Sequence, residues 1–151
     1  MDRDTYLAEL ERLWEQNWPK DLPRKAFYPF GEIPMTDYLR KRAEAAPEQV
    51  CVIFYGKEMT FGELNTYSDK LAAYLGGQGL KKGDRVALLM PNCPQFLIAF
   101  YGILKLGCIH VPVNPLFKEA EFLYEMQDAE PRAIVAPFSA SQVGCWLASF
   151  A

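Results

Sequence analysis

Two rhythms of apolar and polar positions run along this chain. Between residues 4 and 18, Tyr6, Leu7, Leu10, Leu13, Trp14 and Trp18 fall close to one helical face, while Glu9, Glu11, Arg12 and Glu15 fall elsewhere. That spacing predicts an amphipathic helix. The next run, "PKDLPRKAFYPFGEIP", holds four prolines and predicts an extended lead rather than a packed element. A second helix is predicted around "MTDYLRKRAEAAP", ending at Pro47. "VCVIFYGKEMTF" then reads as two short strands meeting at Gly56-Lys57, a hairpin.

From Thr60 the punctuation sharpens. "TFGE" fits a capping box, with Thr60 accepting from the third helical N–H and Glu63 reaching back to the cap. Leu64, Tyr67, Leu71 and Leu75 recur at helical spacing, and Gly76-Gly77 offers the exit. "DRVALLMP" predicts a strand. Asn92 is placed to cap the following helix, with Pro94 in its first turn, and Gly107 ends it. "CIHVPV", "FKEAEFLYEMQDA" and "RAIVAPF" continue as strand, helix and strand. Residues 84–137 therefore alternate β, α, β, α, β, with strands apolar throughout. This is the signature of an α/β fold with a parallel sheet covered on both faces. After Arg132 the last 19 residues carry no charge. Past the first few no period is visible, so residues 138–151 read as an atypical uncharged tail and a truncation.

Composition narrows the class. The 151 residues are half hydrophobic and 23% charged, an ordinary globular mixture long enough for a core. A net charge of −3 gives no pull toward nucleic acid or anionic lipid. The longest apolar run, Phe96 to Leu104, covers nine residues before Lys105; a membrane span needs about 20. The acidic start is not expected to act as an export signal. Cys51, Cys93, Cys108 and Cys145 are widely spaced and, with one histidine in the chain, read as reduced thiols rather than a zinc site.

Candidate chemistry is sparse. In "LGGQGLKKGD", Gly77, Gly79 and Gly83 lack dinucleotide-fingerprint spacing and follow a helix instead of opening one, so they read as a helix exit and a turn. His110 lies on a strand with no orienting partner or nucleophile at a recognisable spacing, and reads as structural or pocket-lining. Cys93 near a helix start is open to a lowered thiol pKa, with plain packing the simpler reading. Tyr101 and Lys105, at i and i+4, face either a ligand channel or a snorkelling helix end. Glu119, Glu121, Glu125, Asp128 and Glu130 read as a solvated helix face. The Trp14/Trp18 helix is suited to docking on its own or a sister chain, its Glu-rich face disfavouring anionic lipid.

Five pieces of sequence in order carry a family resemblance: T-F-G-E-L at Thr60, G-L-K-K-G-D-R-V-A from Gly79 to Ala87, P-N-C-P from Pro91 to Pro94, G-I-L-K-L-G from Gly102 to Gly107, and P-V-N-P from Pro112 to Pro115. Residues 36–137 resemble the N-terminal part of the adenylate-forming (AMP-binding) acyl-CoA synthetases and ligases, most of all the long-chain fatty-acid–CoA ligases. The resemblance implies a two-step reaction. A carboxylate attacks the α-phosphate of Mg·ATP, releasing pyrophosphate, and the CoA thiol then displaces AMP from the acyl-adenylate. The family performs it with a Ser/Thr/Gly-rich loop ending in Pro-Lys, later acidic residues and a mobile C-terminal domain with a lysine. None of these occurs in this sequence, whose one Pro-Lys, Pro19-Lys20, follows no such loop.

The expected organisation is a helix and Pro-rich lead over 1–35, a partial AMP-binding N-terminal subdomain over 36–137, and the tail over 138–151. No catalytic, cofactor-binding or metal residue is assigned. ATP, Mg and CoA belong to the full-length family, and none is expected for the isolated chain. The expected function is that of an N-terminal ligase fragment, inactive alone. The alternative is a non-enzymatic module that self-associates or pairs with a full-length ligase subunit through a sheet edge or its first helix. An independent dinucleotide-binding domain is disfavoured by the misplaced glycines. The expected location is cytoplasmic, open to a peripheral membrane association.

Overall fold

The computed structural model describes residues 2–139 and 142–147. It divides after Glu32 into two units. In the first, helix α1 (Arg3–Asn17) starts where the Asp2 carboxylate accepts from the N–H groups of Asp4 and Thr5, both at 3.0 Å. That satisfies two of the donors every helix start leaves open. Trp18 lies just past the last turn, its ring 5.4 Å from that of Trp14 and its Nε1–H donating to the Leu22 carbonyl at 2.9 Å.

The second unit begins with α2 (Met35–Ala45) and a two-stranded antiparallel hairpin, β1 (Val50–Phe54) and β2 (Lys57–Thr60). The turn sits at Tyr55-Gly56, one residue earlier than the glycine suggests, because both residues take positive φ (48° and 77°). A two-residue loop with two left-handed positions matches the twist of the flanking strands. Helix α3 (Phe61–Gly77) opens on the expected capping box: the Glu63 N–H donates to Thr60 Oγ1 at 3.2 Å, and the Thr60 N–H to Glu63 Oε2 at 2.9 Å. Its buried stripe is Leu64, Ser68 and Leu75, with Leu71 half-buried beside them; Tyr67 is exposed, under the Lys70 ammonium. Successive steps of four and three keep 64, 68, 71 and 75 on one line, which position 67 leaves. Ser68 is tolerated in that line because its hydroxyl donates within the helix, to the Leu64 carbonyl at 2.7 Å.

The main sheet has strand order β4-β3-β5-β6, from β3 (Arg85–Leu89), β4 (Ile109–Val113), β5 (Ala133–Ser139) and β6 (Gln142–Leu147). The first three run parallel, joined through α4 (Pro94–Lys105) and α5 (Glu119–Ala129), as the alternating pattern implies. Alternation along each strand sorts the two faces. Val86, Leu88, Ala133 and Val135 meet α3 and α4 residues Leu75, Ala99 and Ile103, while Ala87, Leu89, Val113 and Ile134 meet α5 residues Phe122 and Met126. A smaller cluster of Leu39, Met59 and Leu64, with Leu97 and Tyr101 against it, ties α2 and the hairpin to α3 and α4.

The structure differs from expectation at two helix ends and in one strand. The exit of α3 is Gly79, with φ 86°, rather than Gly76-Gly77. Its N–H donates to the Gly76 carbonyl and that of Leu80 to the Leu75 carbonyl. Gly107 closes α4 in the same way, through Leu104 and Ile103. Both are Schellman closures with the accompanying apolar contact in the core, Leu80 with Leu75 and Cys108 with Ile103. Cys93, not Asn92, is the N-cap of α4, and no side chain caps it; Pro94 at the first position removes one donor that would otherwise stand open. The third difference is β6, which pairs antiparallel with β5 in the stretch read as patternless. An uncharged strand shows no polar alternation, so backbone pairing there left no trace in the pattern. Residues 148–151, including Phe150, and the thiol of Cys145 lie outside what is described.

Candidate functional site

Among the described residues, the one deeply placed cation is Lys105. Its side chain is 2% exposed. Nζ donates to the Asn65 carbonyl at 2.9 Å, Asn65 Oδ1 at 2.7 Å and Asp69 Oδ1 at 2.8 Å. An ammonium has three N–H groups, so every donor is engaged by α3. One turn earlier on α4, Gly102 lets the helices approach: a Cβ there would stand 3.0–3.1 Å from Leu71 side-chain atoms. Lys105 therefore clamps α4 to α3, and the ligand-channel reading of Tyr101 and Lys105 gives way to a structural one. Tyr101 packs with the hairpin cluster, its ring edge-on to Phe100, and burial pushes its phenol pKa up.

His110 sits on the sheet face that α4 covers. Phe96 and Phe100 meet it edge-on, centroids 6.2 and 5.1 Å away. Burial pushes its pKa below the ordinary value, and Nε2 is buried without a hydrogen-bond partner among the described residues. A neutral imidazole set edge-on against two phenyl rings, with no carboxylate on Nε2 among the described residues, is a packing residue. The cysteines follow suit. The Cys51 and Cys108 thiols are pushed up by burial, and Cys93 packs against the main cluster. All three are free thiols. Of the acidic run, Glu119 and Glu121 occupy the first turn of α5 and Glu130 pairs with Arg85 at 3.1 Å; Glu125 is half-buried, its Oε2 without a partner among the described residues. Among the described residues no group of three or more His, Cys, Asp or Glu stands close enough to hold a metal.

The signature residues act on the frame. The Gly83 N–H donates to the Gly107 carbonyl at 3.0 Å. Asp84 Oδ2 accepts from the Lys81 N–H at 2.8 Å and Arg132 Nη1 at 2.9 Å, while the Asp84 carbonyl accepts from Ile109 at 2.9 Å. Asp84 thus ties the entries of β3, β4 and β5 together, a role its place in a recurring G-D-R motif does not announce. At the opposite, carboxyl ends of the strands, where open parallel sheets bind ligands, Asn114 Oδ1 is taken by the Leu116 N–H at 3.0 Å and Cys93 faces the core. Of the glycines that invited a nucleotide, Gly77 lies in the last turn of α3, Gly79 is its exit and Gly83 sits in the turn before β3. The residues present do not fit a Mg·ATP site. Among the described residues no helix is long and apolar enough to cross a membrane.

A parallel βαβαβ unit with these five motifs defines the N-terminal subdomain of an adenylate-forming enzyme. The model of the AMP-binding enzyme family matches residues 39–147, running on into β6. The chain belongs to that family. It is 39% identical over 125 residues to a long-chain-fatty-acid–CoA ligase of Bacillus subtilis, covering 83% of this chain and 22% of that one. The N-terminal domain of FACL13 from Mycobacterium tuberculosis superposes with a TM-score of 0.62 at 34% identity, over 66% of this chain and 26% of that one. The N-terminal subdomain of Klebsiella oxytoca NpsA, solved with 3-hydroxybenzoyl-AMSN, gives 0.62 at 30% identity, over 65% and 25%. The chain thus spans about a fifth of the length of the curated relative.

Proposed function

We propose that this chain is the N-terminal scaffold portion of an ATP-dependent fatty-acid–CoA ligase. The observation that carries the proposal is the 39% identity to a long-chain-fatty-acid–CoA ligase over 83% of the chain. The reaction is the family's: a fatty carboxylate oxygen bonds to the α-phosphorus of ATP, pyrophosphate leaves, and the CoA sulfur then takes the acyl group as AMP departs. Such chemistry needs cationic and metal charge over the phosphates. The buried cation Lys105 has no donor to spare for that task. Here α3, α4 and the parallel strands provide the frame, and the phosphate-handling groups come from sequence this chain does not contain. The 151-residue chain alone therefore performs no adenylation, and ATP, Mg and CoA act only in a complete ligase.

The test is a splice. This chain replaces the matching segment of the Bacillus subtilis ligase, and palmitate-dependent ATP–pyrophosphate exchange is followed. Exchange by the spliced protein, with none from the 151 residues alone, supports the proposal. A folded splice without exchange, or palmitate-dependent exchange by the short chain, contradicts it. The exposed apolar side chains of α1, among them Leu7, Leu10 and Trp14, favour a second reading in which the chain pairs with another subunit. Association that disappears on deleting residues 1–35 would support it, and a partnerless monomer would count against it.

A further inference from the structure

Helix α5 turns Phe122 and Met126 to the core and leaves a second stripe beside them. Phe117, Ala120, Glu121, Tyr124, Glu125 and Asp128 recur at steps of three and four or lie next to one another, and they line one groove of about 500 Å³. Tyr124 is 73% exposed, with Leu116 and Phe117 also open to solvent. None of the three carboxylates pairs with a cation among the described residues. Glu121 Oε2 takes the Lys118 N–H at 2.7 Å, and Glu125 Oε2 is buried with no partner among those residues. Buried acceptors without donors are rare in folded proteins. The groove suits a cation beside an apolar anchor.

Charge narrows what can fill it. A second α5 would set like charges face to face. The exposed apolar side of α1 runs beside Glu9, Glu11 and Glu15 and meets the same objection. Among the described residues, one run sets adjacent cations within three residues of large exposed apolar side chains: Arg24-Lys25, between Leu22 and Phe27-Tyr28. Phe27 is 79% exposed. Arg24 is held by Glu15 at 3.1 Å, whereas Lys25 makes no ion pair among the described residues. Residues 26–28 belong to no helix or strand, and no backbone hydrogen bond among the described residues holds 24–27. The run is free to lie extended in a groove.

The spacings agree. Two residues of extended chain carry Lys25 about 7 Å from Phe27. Five residues of helix carry Glu125 about 7.5 Å from Ala120. Phe27 seated over Ala120, between Phe117 and Tyr124, brings the Lys25 ammonium to Glu125 and Asp128. Deepening the pairing reading above, on which it rests, we propose that residues 20–28 of one copy dock in the α5 groove of a second copy of this chain. Phe27 is the anchor, and Lys25 supplies the charge that the carboxylates of the groove lack.

Sedimentation equilibrium of the full 151-residue chain at low salt reads the association. Wild type should associate, and more weakly in 1 M salt. Lys25→Glu and Asp128→Lys, both at exposed positions, should each weaken association by about tenfold or more with unchanged thermal melts. Phe27→Ala should weaken it without altering charge, and it decides the matter if either of the other melts shifts. A mixture of Lys25→Glu and Asp128→Lys chains should regain what each lacks alone, because a mixed pair holds one wild-type contact and one with its charges exchanged. A monomeric wild type, association indifferent to these variants, or a mixture that regains nothing, as docking within one chain would give, each overturns the proposal. Association lost on deleting residues 1–35 but indifferent to Lys25→Glu and Asp128→Lys removes the groove and leaves the pairing reading. The ligase reading stands or falls on the splice alone.

Discussion

Replacing Lys105 separates a helix clamp from a ligand-facing cation. The wild-type ammonium makes three charged hydrogen bonds, each worth about 1.5–3 kcal/mol, against a desolvation cost of several kcal/mol for a buried ion. In Lys105→Met the stem is replaced by a side chain of similar volume and the charge disappears with its cost. The acceptors left behind are largely satisfied. Asp69 is 53% exposed and returns to water, while the Asn65 carbonyl keeps the Ser68 hydroxyl at 2.9 Å. The net loss should be about 1 kcal/mol. Lys105→Ala adds a void between α3 and α4 and should cost about 2–5 kcal/mol. Asp69→Ala strands one N–H of the buried ammonium, discounted by the exposure of the carboxylate to about 1 kcal/mol, and the effect should shrink in 1 M salt. Urea unfolding of the 151-residue chain followed by circular dichroism gives all three. An unfolding midpoint untouched in Lys105→Ala would refute the clamp. Lys105→Met proving as damaging as Lys105→Ala would show that the hydrogen bonds of the ammonium, rather than the packing of its stem, carry the clamp.

Two further outcomes follow from the helix exits and the buried histidine. Gly79→Ala forces a side chain into φ 86° and should cost about 1–2 kcal/mol, whereas Gly77→Ala, inside the last turn with no atom within 4 Å of the new Cβ, should be neutral or gain up to about 1 kcal/mol; equal effects in thermal melts would contradict the assignment of Gly79 as the exit. His110, its pKa pushed down by burial, binds its proton less readily folded than unfolded. Its contribution is whole above the unfolded value near 6.5 and fades as pH falls through that value toward the folded one; urea midpoints from pH 7.5 to 5 should drop more steeply for wild type than for His110→Leu, and the opposite order would contradict a neutral buried imidazole.

Much of the frame was written in the chain because local chemistry and tertiary structure agree there. The Thr60/Glu63 box, Pro94 at a helix start, and apolar strands spaced by helices each have one physical solution, and the structure adopts it. Disagreements arise where one residue type serves several ends. Gly76, Gly77 and Gly79 all suit a helix exit, and only the path of Leu80 back to Leu75 selects Gly79. Asn92 is a better cap than Cys93 by chemistry alone, but the chain turns one residue later. Tyr67 fits an apolar periodicity, yet Ser68 takes the buried place because its hydroxyl bonds internally. The roles of Lys105 and Asp84 were not legible, since both depend on partners 36 to 48 residues away. No local pattern records such distances.

The scaffold role is tested most directly by acid-dependent ATP–pyrophosphate exchange, measured side by side for the 151-residue chain and for the same residues spliced into the Bacillus subtilis ligase. Palmitate-dependent exchange is expected from the splice and none from the short chain. Exchange by the short chain, or a folded splice that performs none, would contradict a scaffold that depends on the rest of a ligase.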